Sequence, residues 1–574
     1  MVTTPERAIE QAGLTEPAGQ VPLKVFGKPA GRTLACLGIL VVFVLLRAPF
    51  VSVPLERDEG EYAYIAQRAL HSEVPYRDAF DQKPPGIFLI YVLIFLALGQ
   101  SIEAIHLGLH LWVLAVVVLV YRLVSRRAGP RAGLLAALAL AVMSIDPNLL
   151  GGAANTEQFM LLPLVGSLLC LAPVAGRPGR WRIAAAGALG AAAFWIKQVA
   201  ATNFVFLVLW LVFLYFGERP RRRPRELVLD LGGLLAGAAA LTAPLLLYFA
   251  AAGAWSQFVY CVFTYNFIYS AAQTHSVSAL AAEFWVSFGP ILWSSWPFVV
   301  ALALGVVHLA RRRAGRDLAL FGGLLVFSFA GVCVGGYFRC HYFIQVLPAA
   351  AALAGVGLAG LLDLAGRLRR PATRVALRAA LIGVVLAVPV AANRDIFFAP
   401  GPDFISSMMY PGNPFVCSRE IAERIKGDSS ELDTVLILGS EPQILFYAHR
   451  KSATRYIIFY PLAATPYAGL LDQQQAALAE IQASRPKYVV SMERISSSLM
   501  MTPRSEHYLF RQIGEYCKQR KYTAQDFYLV LTPPWSEIEG ATYKVLSPQE
   551  ARGLEVRAGR PLLGAVLWLR PHGD

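Results

Sequence analysis

Five short stretches of this 574-residue chain carry side chains able to move protons and hold anions. Two lie close together: Arg57-Asp58-Glu59-Gly60-Glu61-Tyr62-Ala63-Tyr64 and Asp78-Ala79-Phe80-Asp81-Gln82-Lys83-Pro84-Pro85-Gly86. The others are Asn155-Thr156-Glu157, Lys197-Gln198 and Arg339-Cys340-His341-Tyr342. Carboxylates beside lysine and arginine suit transfer of a sugar from a lipid phosphate. A hydroxyl acceptor attacking an anomeric carbon needs a carboxylate base within hydrogen-bond reach. The departing lipid phosphate is already anionic, so it needs fixed cations rather than a proton donor. The sequence has no P-loop and no Rossmann glycine fingerprint, so it asks for no sugar nucleotide.

Each stretch also has a plainer reading. Asp58 and Glu59 would cap and solvate a loop helix. Lys83 would snorkel beside an apolar segment. Glu157 would favour the N-terminus of the helix that follows it. Arg339 and His341 would be loop residues at a helix end. Lys197 fits its plain reading worst, because it lies between two apolar runs with little loop between them. What weighs against the plain readings is a shared membrane face, which follows from the elements that carry these residues.

The chain is 56% hydrophobic and 16% charged, where a soluble domain carries about 25% charge. Apolar runs such as LACLGILVVFVLL and LWVLAVVVLVY are long enough for a bilayer core of about 30 Å. Twelve such segments are read near 34–54, 84–98, 103–122, 132–150, 158–175, 183–200, 201–217, 227–250, 288–310, 318–336, 342–363 and 375–392. The net charge of +14 comes in short clusters between the runs, which is the pattern of cytoplasmic anchors and argues against nucleic acid as a partner. Seven scattered cysteines show neither a disulfide framework nor a metal spacing.

Charge parity sets the topology. Arginines cluster at Arg122/Arg126/Arg127/Arg131, Arg177/Arg180/Arg182, Arg219–Arg225, Arg311/Arg312/Arg313/Arg316 and Arg367/Arg369/Arg370/Arg374, and the N-terminal tail adds Lys24, Lys28 and Arg32. If 84–98 does not cross the membrane, every cluster shares a side with the tail, as the positive-inside rule asks. The expectation is therefore a polytopic α-helical membrane protein with about eleven full spans, with 84–98 as an outer juxtamembrane helix. Residues 1–33 read as a disordered cytoplasmic tail and 34–392 as the membrane domain, with its first outer loop at 55–100. That topology puts all five stretches on one outer face. Four aromatics in the outer loop 253–286, Trp255, Tyr260, Tyr265 and Tyr269, would shape a cavity or form an interfacial belt.

From about residue 393 the composition changes. Runs at 434–439, 455–460, 487–492 and 527–531 read as strands, and 470–484 and 506–520 as helices. Residues 393–574 are thus expected to form a soluble α/β domain on the extracytoplasmic side.

The stretch 57–86 resembles the first outer loop of GT-C glycosyltransferases. It looks like the family 39/PMT-like bacterial group, which includes protein O-mannosyltransferases and the aminoarabinose and galacturonic acid transferases of lipid A. Asn155-Thr156-Glu157, Trp195-Ile196-Lys197-Gln198 and Arg339-Cys340-His341-Tyr342 ahead of Pro348 follow in the expected order. The resemblance implies that Asp58 is the catalytic base or acceptor-orienting group, with Glu59 beside it and Glu157 as a second acid. It implies Lys83, Lys197, Arg339 and His341 around the donor phosphate, and Tyr62, Asp81 and Asn155 in the substrate cavity. Aminoarabinose transferases carry a metal-linked acid directly before the motif lysine. Here that position is Gln82, so no structural metal is expected.

The implied activity is inverting transfer, in a bacterial inner membrane, from a polyprenyl-phosphate sugar to a glycolipid, polysaccharide or protein acceptor, as in cell-envelope biosynthesis. A transporter or flippase of a lipid-linked sugar is the alternative, although such folds favour internal repeats and midplane charges, which this sequence lacks. A third reading makes the outer domain a partner-binding module of a non-catalytic subunit.

Overall fold

The computed structural model describes residues 29–173, 177–217, 223–271, 276–463, 467, 469–493, 497, 507–530, 543–558 and 564–571. The expected tail therefore lies outside the described residues up to residue 28, and a helix begins at Pro29. Apolar segments in lipid must satisfy their backbone groups internally, and so they form helices. In chain order these are α1 (Pro29–Arg47), α2 (Arg57–Ala69), α3 (Gly86–Leu98), α4 (Ile102–Ala128), α5 (Pro130–Met143), α6 (Thr156–Leu171), α7 (Arg180–Ile196), α8 (Ala201–Gly217), α9 (Pro224–Ala251), α10 (Trp255–Val259), α11 (Tyr265–Ala271), α12 (Val277–Arg311), α13 (Gly315–Cys333), α14 (Leu347–Ala365) and α15 (Pro371–Ala392).

Among the described residues, eight stretches are long and apolar enough to cross a membrane: Gly31–Phe50, Ile102–Ala128, Gln198–Gly217, Pro224–Ala251, Val277–Arg311, Gly315–Cys333, Cys340–Ala365 and Pro371–Ala392. Helix α3 has 13 residues and a length of about 20 Å, short of the bilayer core. Helices α5 and α6, with 14 and 16 residues, are also short, so length alone does not single out α3.

The segment expected at 288–310 is longer than read. Helix α12 starts at Val277, capped where the Ser276 hydroxyl accepts from Ala279 N at 3.2 Å, and runs for 35 residues, about 52 Å. Its first ten residues take up the end of the expected outer loop 253–286, and the earlier part holds α10 and α11 joined by a π-helical turn, Tyr260–Thr264. Small residues let α12 and α14 touch. A Cβ on Gly305 would sit 2.0 Å from the Leu353 carbonyl oxygen, and one on Gly357 would sit 1.9 Å from that of Ala301.

Beyond Ala392 the chain builds a six-stranded sheet from β1 (Thr434–Leu438), β2 (Lys451–Ser452), β3 (Tyr488–Met492), β4 (Thr523–Val530), β5 (Tyr543–Leu546) and β6 (Gly564–Leu569), in the order β2-β1-β3-β6-β4-β5. The pairs β1–β2 and β1–β3 are parallel, and the rest are antiparallel. Helices Leu470–Ser484 and Tyr508–Gln519 lie where the sequence reading put them. The run 455–460 corrects that reading, because it is no strand. Ile457, Ile458 and Phe459 are buried without a ladder partner, and the Arg455 carbonyl accepts from Phe80 N at 2.8 Å. Its apolar character serves packing beside the first loop rather than sheet pairing.

The sheet domain sits directly on α2, which lies between α3 and the domain's helix Gln443–Ala448. A Cβ on Gly60 would come within 2.6 Å of Gln443 N, so only glycine permits this approach. Leu55 N donates to the Tyr447 hydroxyl at 2.8 Å, and Ser452 N donates to the Tyr64 hydroxyl at 2.9 Å.

Candidate active site

Helix α2 opens with a reciprocal cap. Glu56 N donates to the Glu59 carboxylate at 3.0 Å, and Glu59 N to the Glu56 carboxylate at 3.4 Å. The Glu59 carboxylate also accepts from Ala154 N at 2.6 Å and lies 3.0 Å from His106 Nε2. These bonds occupy it, and they tie the first loop to α4 and to the turn before α6. The structure thus places Glu59, expected beside Asp58 at the reacting centre, in a buried hydrogen-bonded position away from Lys83.

Asp58, one residue earlier, faces elsewhere. Its carboxylate is 3.6 Å from Lys83 Nζ, which is also 3.9 Å from Glu61 and 5.4 Å from the Tyr62 ring centre. The loop after α2 fixes Lys83 from behind. Its backbone N–H donates to Asp81 Oδ1 at 2.8 Å, and its carbonyl accepts from the Tyr76 hydroxyl at 2.8 Å. The Gln82 carbonyl accepts from Gln198 Nε2 at 3.0 Å and from Asn266 Nδ2 at 2.8 Å, anchoring the loop to the end of α7 and to α11.

A second charged group faces the first. Helix α7 stops at Ile196 because Lys197 is extended (φ −150°, ψ 126°), and its ammonium pairs with Glu157 on the first turn of α6. The Thr156 hydroxyl donates to Glu157 at 2.9 Å, and His341 Nε2 lies 3.7 Å from that carboxylate. Lys197 Nζ is 4.5 Å from the Tyr342 ring centre. Arg339 is exposed at the edge, 5.8 Å from the Tyr337 ring centre.

The two groups act on each other. Burial pushes the Asp58 carboxyl up, but the charges of Lys83, then His341, Lys197 and Arg57, more than offset it and hold it below the ordinary aspartate value. Burial alone would lower Lys83, yet Asp58, Tyr62, Asp81 and Glu61 hold it well above the ordinary lysine value. Burial, then the nearby Asp81, raises Glu61 well above the ordinary glutamate value. Asp81 is pushed up to about 6, chiefly by burial. The site thus holds the Asp58 carboxylate ionised among fixed cations, while burial pushes Glu61 and Asp81 the other way.

Several buried polar atoms here have no hydrogen-bond partner among the described residues: both Glu61 carboxylate oxygens, the Tyr62 hydroxyl, Asp81 Oδ2, Asn155 Oδ1 and His341 Nδ1. Buried polar groups ordinarily find partners, so a cluster of orphans marks space for a polar ligand.

Residues 82–248 match the family model described as dolichyl-phosphate-mannose-protein mannosyltransferase. The crystal structure of ArnT from Cupriavidus metallidurans bound to undecaprenyl phosphate aligns with a TM-score of 0.52 at 17% identity, over 80% of this chain and 92% of that chain. The apo state of the same protein aligns with a TM-score of 0.52 at 17% identity, over 80% and 93%. The chain has the GT-C glycosyltransferase fold. It is a multi-pass membrane protein, and its charged cluster lies on the first loop and helix ends of that fold. No curated protein sequence matches the chain.

Within the GT-C fold, the charged group draws in residues that the sequence reading passed over. Glu61 lies three residues after Asp58, a spacing that shares a helix face and was legible in the D-E-G-E run. Tyr342 walls Lys197. Glu441, from the sheet domain, is fully buried and 2.8 Å from the Arg57 guanidinium, and Arg57 Nε also donates to the Ser440 carbonyl at 2.5 Å. Nothing in the sequence signals this pair, which spans 384 positions. Among the described residues no three His, Cys, Asp or Glu side chains are grouped to hold a metal ion. The Asp58 and Glu61 carboxylates lie 3.6 and 3.9 Å from the Lys83 ammonium, and Asp81 accepts from the Lys83 backbone N–H.

Burial and the neighbouring Asp81 favour the protonated form of Glu61. Glu61→Gln is therefore expected to change activity by no more than about tenfold, the worth of a neutral hydrogen bond. Rates of the two proteins measured side by side at pH 7 check this, and a loss of several hundredfold would mean that Glu61 acts as an ionised carboxylate.

Proposed function

We propose that the chain is a membrane glycosyltransferase that moves a sugar from a polyprenyl-phosphate carrier to a hydroxyl acceptor at the extracytoplasmic face. The observation that carries this reading is the ionised Asp58 held 3.6 Å from Lys83, with Lys197 and His341 facing it. The acceptor oxygen attacks the anomeric carbon opposite the phosphate, and its proton passes to Asp58. The carbon–oxygen bond to the phosphate breaks, and the electron pair stays on the phosphate, held by Lys83 and Lys197. One displacement inverts the anomeric centre. Donor phosphate competes for Lys83, which frees Asp58 to accept the proton. Glu157 orients Lys197, Tyr62, Asp81 and Asn155 line the sugar space, Arg339 completes the cationic side, and the His341 imidazole offers a ring nitrogen to hydrogen-bond the phosphate.

In this reading about eleven segments cross, α3 lies along the outer face, and the arginine clusters are cytoplasmic. Residues 34–392 form the transferase domain and 393–574 an extracytoplasmic domain of a bacterial inner-membrane protein. The test uses purified protein in proteoliposomes with a radiolabelled polyprenyl-phosphate sugar pool and an envelope-lipid acceptor fraction. Covalent transfer of label supports the reading. Label that crosses the bilayer without covalent transfer would make the protein a flippase instead.

The charge states set a pH expectation. A depressed Asp58 stays ionised at lower pH than an ordinary carboxylate, and a raised Lys83 stays charged past the ordinary lysine value. The kcat/KM for transfer is therefore expected to be flat from about pH 5 to about pH 9 and to fall only as Asp58 gains its proton at more acid pH. A half-maximal rate near pH 6 would assign the acid limb to Asp81 and remove Asp58 as the base.

A further inference from the structure

Helices α1, α5, α14 and α15 leave a slot of about 680 Å³ between them. Its walls are apolar, and small residues hollow it: Ala35 and Gly38 on α1, Ala359 on α14 and Ala379 on α15. Gly38 has open space where a side chain would stand. The lining runs from Ala35 to Val42 on α1 and from Val375 to Leu386 on α15. At 1.5 Å per residue these stretches span about 10 and about 16 Å. One leaflet of hydrocarbon is about 15 Å deep, half of the bilayer core.

The charged lining residues all lie at one end of the slot. Arg131 is the second residue of α5, Asp363 lies in the last turn of α14, and Arg378 lies in the second turn of α15. Arg131 pairs with Asp363 at 3.1 Å, and Arg378 Nε donates to the Leu362 carbonyl at 3.1 Å. Two guanidinium groups against one carboxylate leave the mouth positive. The α14–α15 connection adds Arg367, Arg369 and Arg370 around it.

This end is remote from the proposed active site. Helix α1 runs from the mouth toward the first loop, and α5 runs from the mouth toward the turn that leads to Glu157. We propose that the slot is a binding site for one anionic phospholipid, with its headgroup on Arg378 and Arg131 and one acyl chain between α1 and α15. A slot one leaflet deep, apolar throughout and cationic only at its mouth, matches the amphiphile in depth and in charge.

Native mass spectrometry of the full chain in detergent, with phosphatidylglycerol or phosphatidylcholine added at equal concentration, tests this. Wild-type protein is expected to retain one phosphatidylglycerol, roughly fivefold over phosphatidylcholine, the increment of one basic residue at a membrane surface. Arg378→Gln should bring that ratio close to one. Gly38→Leu should fill the slot and abolish retention of both lipids, and Ala379→Leu on the facing helix does the same should Gly38→Leu fold poorly. Equal retention of the two lipids by the wild type would overturn the proposal. So would unchanged phosphatidylglycerol retention in the filled variants, or its displacement by polyprenyl phosphate at equal concentration.

Discussion

Asp58→Asn is expected to reduce sugar transfer by at least about a hundredfold, the lower bound for losing a positioned general base. The amide keeps the shape of the carboxylate but cannot accept the acceptor's proton. The surroundings are built to keep Asp58 ionised despite its burial, because Lys83, His341, Lys197 and Arg57 together outweigh the desolvation. Removing the negative charge takes away the carboxylate closest to the Lys83 ammonium and leaves the lysine in place to hold phosphate. The loss should therefore fall on kcat, with the KM for the donor lipid changed little. Initial rates over a range of donor concentrations separate the two constants. Full activity in Asp58→Asn would remove Asp58 as the base, and a large rise in KM alone would recast it as a donor-binding group.

The second large effect is expected far away in sequence. Glu441→Ala removes a carboxylate with no solvent exposure that holds Arg57 at 2.8 Å, the Ser440 backbone N–H at 2.8 Å and the Ser497 hydroxyl at 2.6 Å. Breaking one side of a buried ion pair costs about 3 kcal/mol at the low end of the usual range, which suits an arginine that is 20% exposed. The cost appears as a lower unfolding midpoint in detergent. The effect on transfer follows from position. Arg57 is the first residue of α2, next to Asp58, and the sheet domain holds that end of the helix through Arg57, Gly60 and Tyr64. Freeing it should reduce transfer by at least about tenfold, as expected when a catalytic group shifts by a fraction of an ångström. The same variant should expose 393–433 to limited proteolysis. An unchanged midpoint together with unchanged transfer would show that the sheet domain is only an attached module.

Much of the fold was legible in the sequence because its signals are local. Each apolar run that reads as a segment is a helix, since a chain in lipid has few other ways to satisfy its backbone. The β-type runs read at 434–439 and 487–492 hold strands at Thr434–Leu438 and Tyr488–Met492, and the helical stretch at 470–484 is a helix. The run 455–460 misled, because a short apolar run signals burial and leaves open whether the backbone pairs. The α12 boundary was missed because the outer extension of a long helix is not uniformly apolar.

The sequence by itself pointed to the stretches that come together, because charge parity and apolar run length are sums over neighbouring residues, and the structure brings Asp58, Lys83, Glu157, Lys197 and His341 into one group. Only the tertiary structure decided what each side chain does there. Asp58 and Glu59 are adjacent and chemically alike, yet one faces the lysines, while the other is held by His106, 47 positions away, and by Ala154 N, 95 positions away. Glu61 became part of the group because the loop to Lys83 folds back over α2. Glu441 became its support because the sheet domain packs onto Gly60. A carboxylate's role is set by the donors that reach it, and those donors come from packing across hundreds of residues, which no local pattern encodes.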